Sequence, residues 1–224
     1  MAYPFRHLIC WLALAPLCTA AEPAAVSRLL RFTVFSAGPV EGVAFVPQPE
    51  AIPQRVAFYP TARSPRYEFR GAMPLRFFDV TKGTVVAEAV VPPGIHDALL
   101  LFAPTQPAAQ DGRRFRIFVL DDGVARHGRR GLAIVNLSGL ELTGAVGREN
   151  VTLASGLNHT LPVGRSTPLT FRTTYRNRSY QSYGATLELQ PDERALLILF
   201  PPFYSGSLEV QSRLLVDQPA ALER

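Results

Sequence analysis

The sequence predicts an all-β fold of the sandwich type. Twenty prolines and sixteen glycines separate short runs rich in Phe, Val, Leu and Thr. No long window repeats apolar residues at the i, i+3, i+4, i+7 spacing of a helix. The predicted strands follow one another at a spacing typical of sandwiches and barrels. They cover residues 29–36, 42–46, 55–59, 67–70, 75–80, 85–91, 98–103, 115–120, 132–137, 141–146, 152–153, 158–161, 167–176, 182–189, 195–200 and 207–216.

Residues 1–21 have the composition of a secretory signal peptide. Arg6 supplies a positive start, residues 8–17 are apolar, and small residues precede Glu22. The apolar run is about half of the roughly 20 residues that a membrane-spanning helix needs. Cleavage after Ala20 or Ala21 is expected, and lipidation at Cys18 is the alternative, although bulky Leu17 precedes that cysteine. We therefore expect an exported protein, periplasmic or extracellular, with no transmembrane segment in the mature chain.

Cysteine and charge content indicate how the mature chain is stabilised and what it could bind. Both cysteines, Cys10 and Cys18, lie in the leader, so a packed core and not disulfides must stabilise the mature chain. All basic residues except Lys82 are arginine, which is typical of GC-rich coding and indicates a bacterial source. The net charge of +5 is too small to indicate nucleic-acid binding, but it allows weak, salt-sensitive attraction to acidic envelope polymers. Glycosylation is left open by four sequons, at Asn136, Asn150, Asn158 and Asn177.

The mature chain divides near its middle. Residues 105–112 belong to a loop-like stretch with two prolines and an Asp-Gly pair, and they form either a linker or a long hairpin. The preferred organisation is an N-terminal sandwich-like half at 22–104 and a C-terminal half at 113–217, followed by a tail at 218–224. Each half is about the size of an immunoglobulin-like module. A single sandwich is the alternative.

Three apolar stretches predict how strands are buried. Residues 98–104 and 194–203 have no polar alternation, which predicts central strands buried on both faces, one in each half. Residues 207–217 alternate apolar and polar positions, which predicts a half-exposed last strand.

The loop at 121–131 places two carboxylates close to a histidine, between two predicted strands. The Asp122-Gly123 pair is a strong turn signal, so the loop is interpreted as structural. The alternative is a hydrolase whose site forms around Asp122 and His127, with Asp121 nearby. Against it, the chain has no G-x-S-x-G motif and the mature chain has no thiol. Metal binding is not expected either, because the acids lack calcium-loop spacing and His96, His127 and His159 are far apart. No cofactor is expected.

The segment "FRTTYRNRSYQSYG", residues 171–184, carries the candidate ligand-binding surface. Period-two alternation predicts Phe171, Thr173 and Tyr175 on one face. The other face then carries the candidate binding residues Arg172, Arg176, Arg178 and Tyr180, together with Thr174. Arginines paired with a tyrosine suit a polyanion or an acidic sugar chain, through bidentate hydrogen bonds and stacking. A solvated outer face without a ligand is the alternative.

Several segments in order, "YEFRGAMPLRFFDV", "LLLFAP", "FRIFVLDDG", "GLAIVNLSG", "LLILFPPF" and "LEVQSRLLVD", resemble a loose family of small exported bacterial β-proteins without assigned function. The resemblance covers most of the chain from Tyr67 onward. It implies immunoglobulin-like modules and an envelope or extracellular location, and it carries no catalytic residues. One departure is that the family often has a tryptophan before the late apolar strand, whereas here the only one, Trp11, lies in the leader.

Together these observations favour a non-catalytic, exported cell-envelope protein with a structural or binding role. The expected partner is an acidic envelope polymer or another envelope protein.

Overall fold

The computed structural model describes residues 27–36, 38–105 and 112–219. In this part of the chain all helix and strand assignments are strands, which confirms the predicted all-β class. No described segment forms a helix long and apolar enough to cross a membrane. The predicted leader, its Cys18 and most of the predicted tail lie outside the described residues.

The first half of the fold consists of two four-stranded sheets. Its inner sheet has the order β4-β1-β7-β8 and its outer sheet the order β3-β2-β5-β6. The strands are β1 (Arg28–Ser36), β2 (Val43–Phe45), β3 (Gln54–Arg55), β4 (Tyr67–Gly71), β5 (Leu75–Asp79), β6 (Val85–Ala89), β7 (Asp97–Pro104) and β8 (Phe115–Asp121).

The second half repeats this arrangement. Its inner sheet has the order β12-β9-β16-β17, with β13 also paired to β9, and its outer sheet the order β11-β10-β14-β15. The strands are β9 (Gly131–Asn136), β10 (Leu142–Val146), β11 (Glu149–Leu153), β12 (Gly156–Leu157), β13 (Leu161–Pro162), β14 (Ser166–Tyr175), β15 (Arg178–Glu188), β16 (Arg194–Pro202) and β17 (Val210–Asp217). In both halves the first strand pairs in parallel with the last strand but one, β1 with β7 and β9 with β16.

Each half encloses its own core between its inner and outer sheets. The first core centres on phenylalanine rings: Phe32 and Phe45 are 5.1 Å apart, and Phe77 and Phe102 are 4.9 Å apart, both pairs edge to face. The second core is mainly aliphatic, with Phe171 as its one fully buried phenylalanine. A buried large apolar side chain contributes roughly 1.5–3 kcal/mol, so both cores are substantial.

A third apolar layer joins the two inner sheets. Alternate residues of β7, Leu99 and Leu101, pack in one cluster with Leu196 and Ile198 of β16. The intervening residues of both strands face their own sandwich cores. These strands are therefore buried on both faces, as the missing polar alternation at 98–104 and 194–203 predicts.

The pairing of β8 settles how the chain passes between the halves. Residues 105–114 connect β7 and β8, which are antiparallel neighbours with Pro104 opposite Phe115. Strand β8 therefore belongs to the first inner sheet, whereas the predicted C-terminal half at 113–217 includes it. The sequence could not show this, because the strands before and after β8 in the chain, β7 and β9, are both apolar. Only hydrogen-bond pairing assigns β8 to the first inner sheet. Most of the predicted linker or hairpin at 105–112 lies outside the described residues. The chain crosses between the halves at 122–130.

The predicted strand at 55–59 is mostly absent, because β3 ends at Arg55. Beyond it, the Val56 amide donates to the Val43 carbonyl, but the Ala57 amide donates to the Tyr67 hydroxyl. A side chain replaces a strand partner at this position, so the ladder stops.

Candidate functional site

The loop at 122–130 folds as the turn that the sequence predicts. Asp121 ends β8 and its carboxylate accepts from the Gly123 amide at 3.0 Å, while the Gly123 carbonyl accepts from the His127 amide at 2.9 Å. Tight local bonds of this kind turn Asp122 and His127 inward, and both side chains are buried. The loop therefore delivers one carboxylate and one imidazole to the boundary between the two halves.

Asp122 meets two arginines that the sequence analysis did not single out. Arg63, from the loop before β4, donates to Asp122 Oδ2 at 2.8 Å, and Arg194, the first residue of β16, donates to the same oxygen at 2.8 Å. Asp217, the last residue of β17, accepts from Arg194 Nε at 2.9 Å and lies 3.2 Å from Arg63 Nε. We call Arg63, Asp122, His127, Arg194 and Asp217 the junction network.

Two carboxylates balance two guanidinium groups in the junction network. The Asp122, Arg63 and Arg194 side chains are 5%, 8% and 3% exposed, so their charges are held mainly by one another and not by water. Arg194 also donates to the carbonyls of Asp122 and His127, at 3.0 and 2.9 Å. The network thus ties the first half, the crossing loop and both long strands of the second inner sheet together.

The environment shifts two ionisation equilibria in the junction network. Burial raises the pKa of Asp122, but the His127 hydrogen bond and the charges of Arg63 and Arg194 outweigh burial and hold that pKa well below its ordinary value. Burial lowers the pKa of Arg194, whereas the Asp217 hydrogen bond and the Asp122 charge leave it raised overall. Asp122 is therefore an ionised partner of the arginines and poorly suited to accept a proton near neutral pH.

His127 does bring its ring to Asp122, yet both ring nitrogens are already engaged. Nδ1 lies 3.4 Å from Asp122 Oδ1, and Nε2 lies 3.0 Å from the Ala195 carbonyl oxygen. The side chain is fully buried, so neither nitrogen faces solvent in this structure. The hydrolase alternative remains a hypothesis, and it would require the loop to open before this pair could reach a substrate.

Across the described ranges, no group of three or more His, Cys, Asp or Glu side chains is arranged to hold a metal ion. His96 and His159 are exposed and lie apart in sequence from the buried His127.

The candidate binding surface on residues 171–184 is a hairpin tip. β14 and β15 are joined by Arg176 and Asn177, whose φ angles of 48° and 61° match the left-handed pair of a tight two-residue hairpin turn. Only part of this hairpin is flanked by β10, whose pairing with β14 ends at Arg172. Residues 173–180 therefore project past β10.

The prediction that Arg172, Arg178 and Tyr180 share a face is wrong. Arg172 pairs with Gln181, whereas Tyr175 pairs with Arg178 and Thr173 with Tyr180. Directly paired residues in an antiparallel sheet point to the same side, so Arg178 and Tyr180 lie on the side of Tyr175, opposite Arg172. The prediction failed because it continued the period-two alternation of side chains through the turn at 176–177, after which the chain reverses direction.

Individual side chains at the tip differ in their freedom. Arg172 donates from Nε to the Ser179 hydroxyl at 2.8 Å, across the hairpin. The Arg176 guanidinium lies 5.2 Å from the centre of the Tyr175 ring, a cation–π contact. Arg178 is exposed and makes no hydrogen bond or ion pair with the described residues. Arg176, Arg178 and Tyr180 are thus the members of the predicted set that are presented for binding.

The loop between β16 and β17 carries a second exposed feature, a pair of aromatic rings. The sequence pattern did not reveal it, because the prediction of a buried strand at 194–203 extends to Phe203. Strand β16 ends at Pro202, and the next two rings, Phe203 and Tyr204, are 74% and 72% exposed. The two consecutive prolines before them were the available signal, since proline ends strand pairing.

Comparison with known proteins does not assign a family. No protein-family model matches the chain, and no curated protein matches it significantly.

Proposed function

We propose that this is an exported, non-catalytic cell-envelope protein that binds an acidic polymer through the β14–β15 hairpin tip. The observation that carries the proposal is the exposure of Arg176, within a tight turn that projects beyond β10, and of Arg178 directly after that turn. Arg178 has no partner among the described residues, so its guanidinium is available for bidentate contact with a carboxylate or sulfate.

The acidic loop, by contrast, is better suited to a structural role. Asp122 is shielded by two arginines and His127 by backbone, and together they join the halves. A rigid double sandwich with projecting hairpins is suited to presenting a binding surface, since loops carried on such scaffolds commonly hold the binding residues. The export and envelope location of the protein rest on the leader composition and belong to the same proposal.

Retention on immobilised heparin and on immobilised polygalacturonate tests the proposal. We expect the wild-type chain to be retained at low salt and to elute earlier as ionic strength rises, because these contacts are exposed. The double variant Arg176→Ala with Arg178→Ala should lose most of the retention. Arg172→Ala should have a smaller effect, because Arg172 is occupied with Ser179.

The matched control removes two exposed arginines from the other end of the same outer sheet, Arg148→Ala and Arg165→Ala. It changes the net charge equally and should leave retention close to wild type. Unchanged retention when Arg172, Arg176 and Arg178 are all replaced by alanine would eliminate the proposed site. Equal losses in the control would show that only the overall charge matters.

A further inference from the structure

The loop between β16 and β17 carries two solvent-exposed aromatic rings on a hydrogen-bonded turn. Phe203 and Tyr204 pack edge to face, with ring centres 4.8 Å apart. The Ser207 amide donates to the Tyr204 carbonyl, and Gly206 adopts a φ of 84° that closes the turn. Neither ring is part of any of the three apolar clusters. Intramolecular packing therefore does not account for this pair.

Strand topology brings this loop to the same end of the second half as the β14–β15 tip. Five residues separate the end of β15 at Glu188 from the start of β16 at Arg194, so both of these strand ends lie at the end that carries the junction network. Tyr183 of β15 is beside Ser212 of β17, about five residues from the junction end on each strand. From there β15 runs five more residues, or about 17 Å, to its start at Arg178. The β16–β17 loop lies in the same direction, beyond Pro202.

The composition of these two tips is aromatic and basic. The β16–β17 loop at 203–209 carries a single charged residue, Glu209 at its end, and the turn at 175–178 contains two arginines and no acid. Tyr175 and Tyr180 add two more rings, 49% and 38% exposed. This end of the molecule thus combines exposed rings, including the wholly apolar one of Phe203, with positive charge.

We propose that this end docks on the surface of a membrane that contains anionic lipids. Two exposed tips at one end of the molecule suit a flat partner better than an enclosed ligand. Aromatic side chains are favoured at the membrane–water interface, where one part of the ring system is apolar and another is hydrated. Arginines beside them are attracted to the negative surface potential of anionic lipids. A hydrated acidic polymer would contact the arginines but would leave the Phe203 ring without an apolar partner.

This inference goes beyond the proposed function, because Phe203 and Tyr204 are not part of the polymer-binding set. The two proposals share Arg176 and Arg178 but differ in the aromatic loop. Replacing the rings should therefore weaken membrane binding and leave polymer retention unchanged, so failure of one proposal is distinguishable from failure of the other.

Vesicle co-sedimentation tests the inference. The chain from residue 22 is used, since all the described strands begin at Arg28 or later. We expect it to bind vesicles of phosphatidylcholine with about a third phosphatidylglycerol, and to bind pure phosphatidylcholine vesicles weakly. Phe203→Ser with Tyr204→Ser should lower the partition coefficient by about tenfold or more, as expected for withdrawing two rings from an apolar environment. The matched control is Ile52→Ser with Val90→Ser, two exposed apolar residues of the first half.

Tryptophan fluorescence shows whether the aromatic loop itself enters the apolar layer of the membrane, which co-sedimentation does not measure. The chain from residue 22 has no tryptophan, so Tyr204→Trp introduces a single reporter. Its emission should shift to the blue when anionic vesicles are added, and that of Ile52→Trp should not. Absence of binding to anionic vesicles, equal loss in the serine control, or an unshifted Tyr204→Trp spectrum would each overturn the inference. Far-UV circular dichroism establishes that each variant is folded.

Discussion

Replacing Asp122 by asparagine removes one negative charge from the centre of the junction network and changes little else. Asparagine has nearly the same volume, so the substitution opens no cavity. It leaves Arg63 and Arg194, both buried, sharing Asp217 as the remaining carboxylate of the junction network. The amide nitrogen would also face a guanidinium donor if it replaced Oδ2.

The expected loss of stability follows from this geometry. Two donor contacts of 2.8 Å end on one carboxylate oxygen that is almost entirely removed from solvent. Breaking a buried ion pair by removing one partner costs about 3–5 kcal/mol, because the other charge is left uncompensated. That is a large part of the roughly 5–15 kcal/mol by which a typical domain is stable.

Urea denaturation followed by circular dichroism measures this loss. With a denaturant slope of about 3 kcal/mol per M, the midpoint should fall by about 1–1.7 M. Asp121→Asn is the matched control, since the Asp121 carboxylate caps only the local turn through Gly123. The control should lose about 1 kcal/mol or less. Adding Arg63→Gln to Asp122→Asn should restore part of the stability, because Arg194 and Asp217 then balance.

A midpoint for Asp122→Asn equal to that of wild type would refute the reasoning. A loss no larger than that of Asp121→Asn would do the same, because it would mean that the two arginines are solvated well enough to need no carboxylate.

Two further predictions concern pH and the apolar layers. The folded pKa of Asp122 is depressed below the unfolded value of about 3.9, so its contribution to stability is fully present above that value and is lost as pH falls toward the folded pKa. The difference in unfolding free energy between wild type and Asp122→Asn should therefore shrink below about pH 4. A constant difference down to pH 2 would contradict the assigned pairing. Leu196→Ala and Leu197→Ala, on opposite faces of β16, should each cost about 2–5 kcal/mol in urea titrations, because both side chains are fully buried. A loss for Leu197→Ala alone would mean that the inner sheets do not pack on each other, because only Leu196 belongs to the layer between them.

Strand-level features could be predicted because their causes are local. The side-chain period of two and the absence of polar positions identified β7 and β16 as strands buried on both faces. The Asp122-Gly123 pair identified a turn, and aspartate capping of that turn is a contact over two residues. Similar segments, "ALLLF" in β7 and "ALLILF" in β16, also occupy equivalent places in the two halves.

The candidate sites were less predictable, because their contacts depend on strand order and register. Arg63 and Arg194 reach Asp122 across 59 and 72 residues, and no local pattern marks them as its partners. The placing of Arg178 and Tyr180 opposite Arg172 depends on where the hairpin turns. A register change of one residue reverses every side chain of a strand, so these faces were open until the pairing was known.

The sequence by itself determined that this chain forms short strands, which of them are buried on both faces, and where the chain turns, since backbone period and turn chemistry act over a few residues. Only the tertiary structure decided that β8 belongs to the first half, that two inner sheets pack together, and that an apparent acid–histidine pair is neutralised by distant arginines. Those outcomes depend on hydrogen-bond pairing and charge burial between segments far apart in the chain, which are fixed only when the sheets assemble.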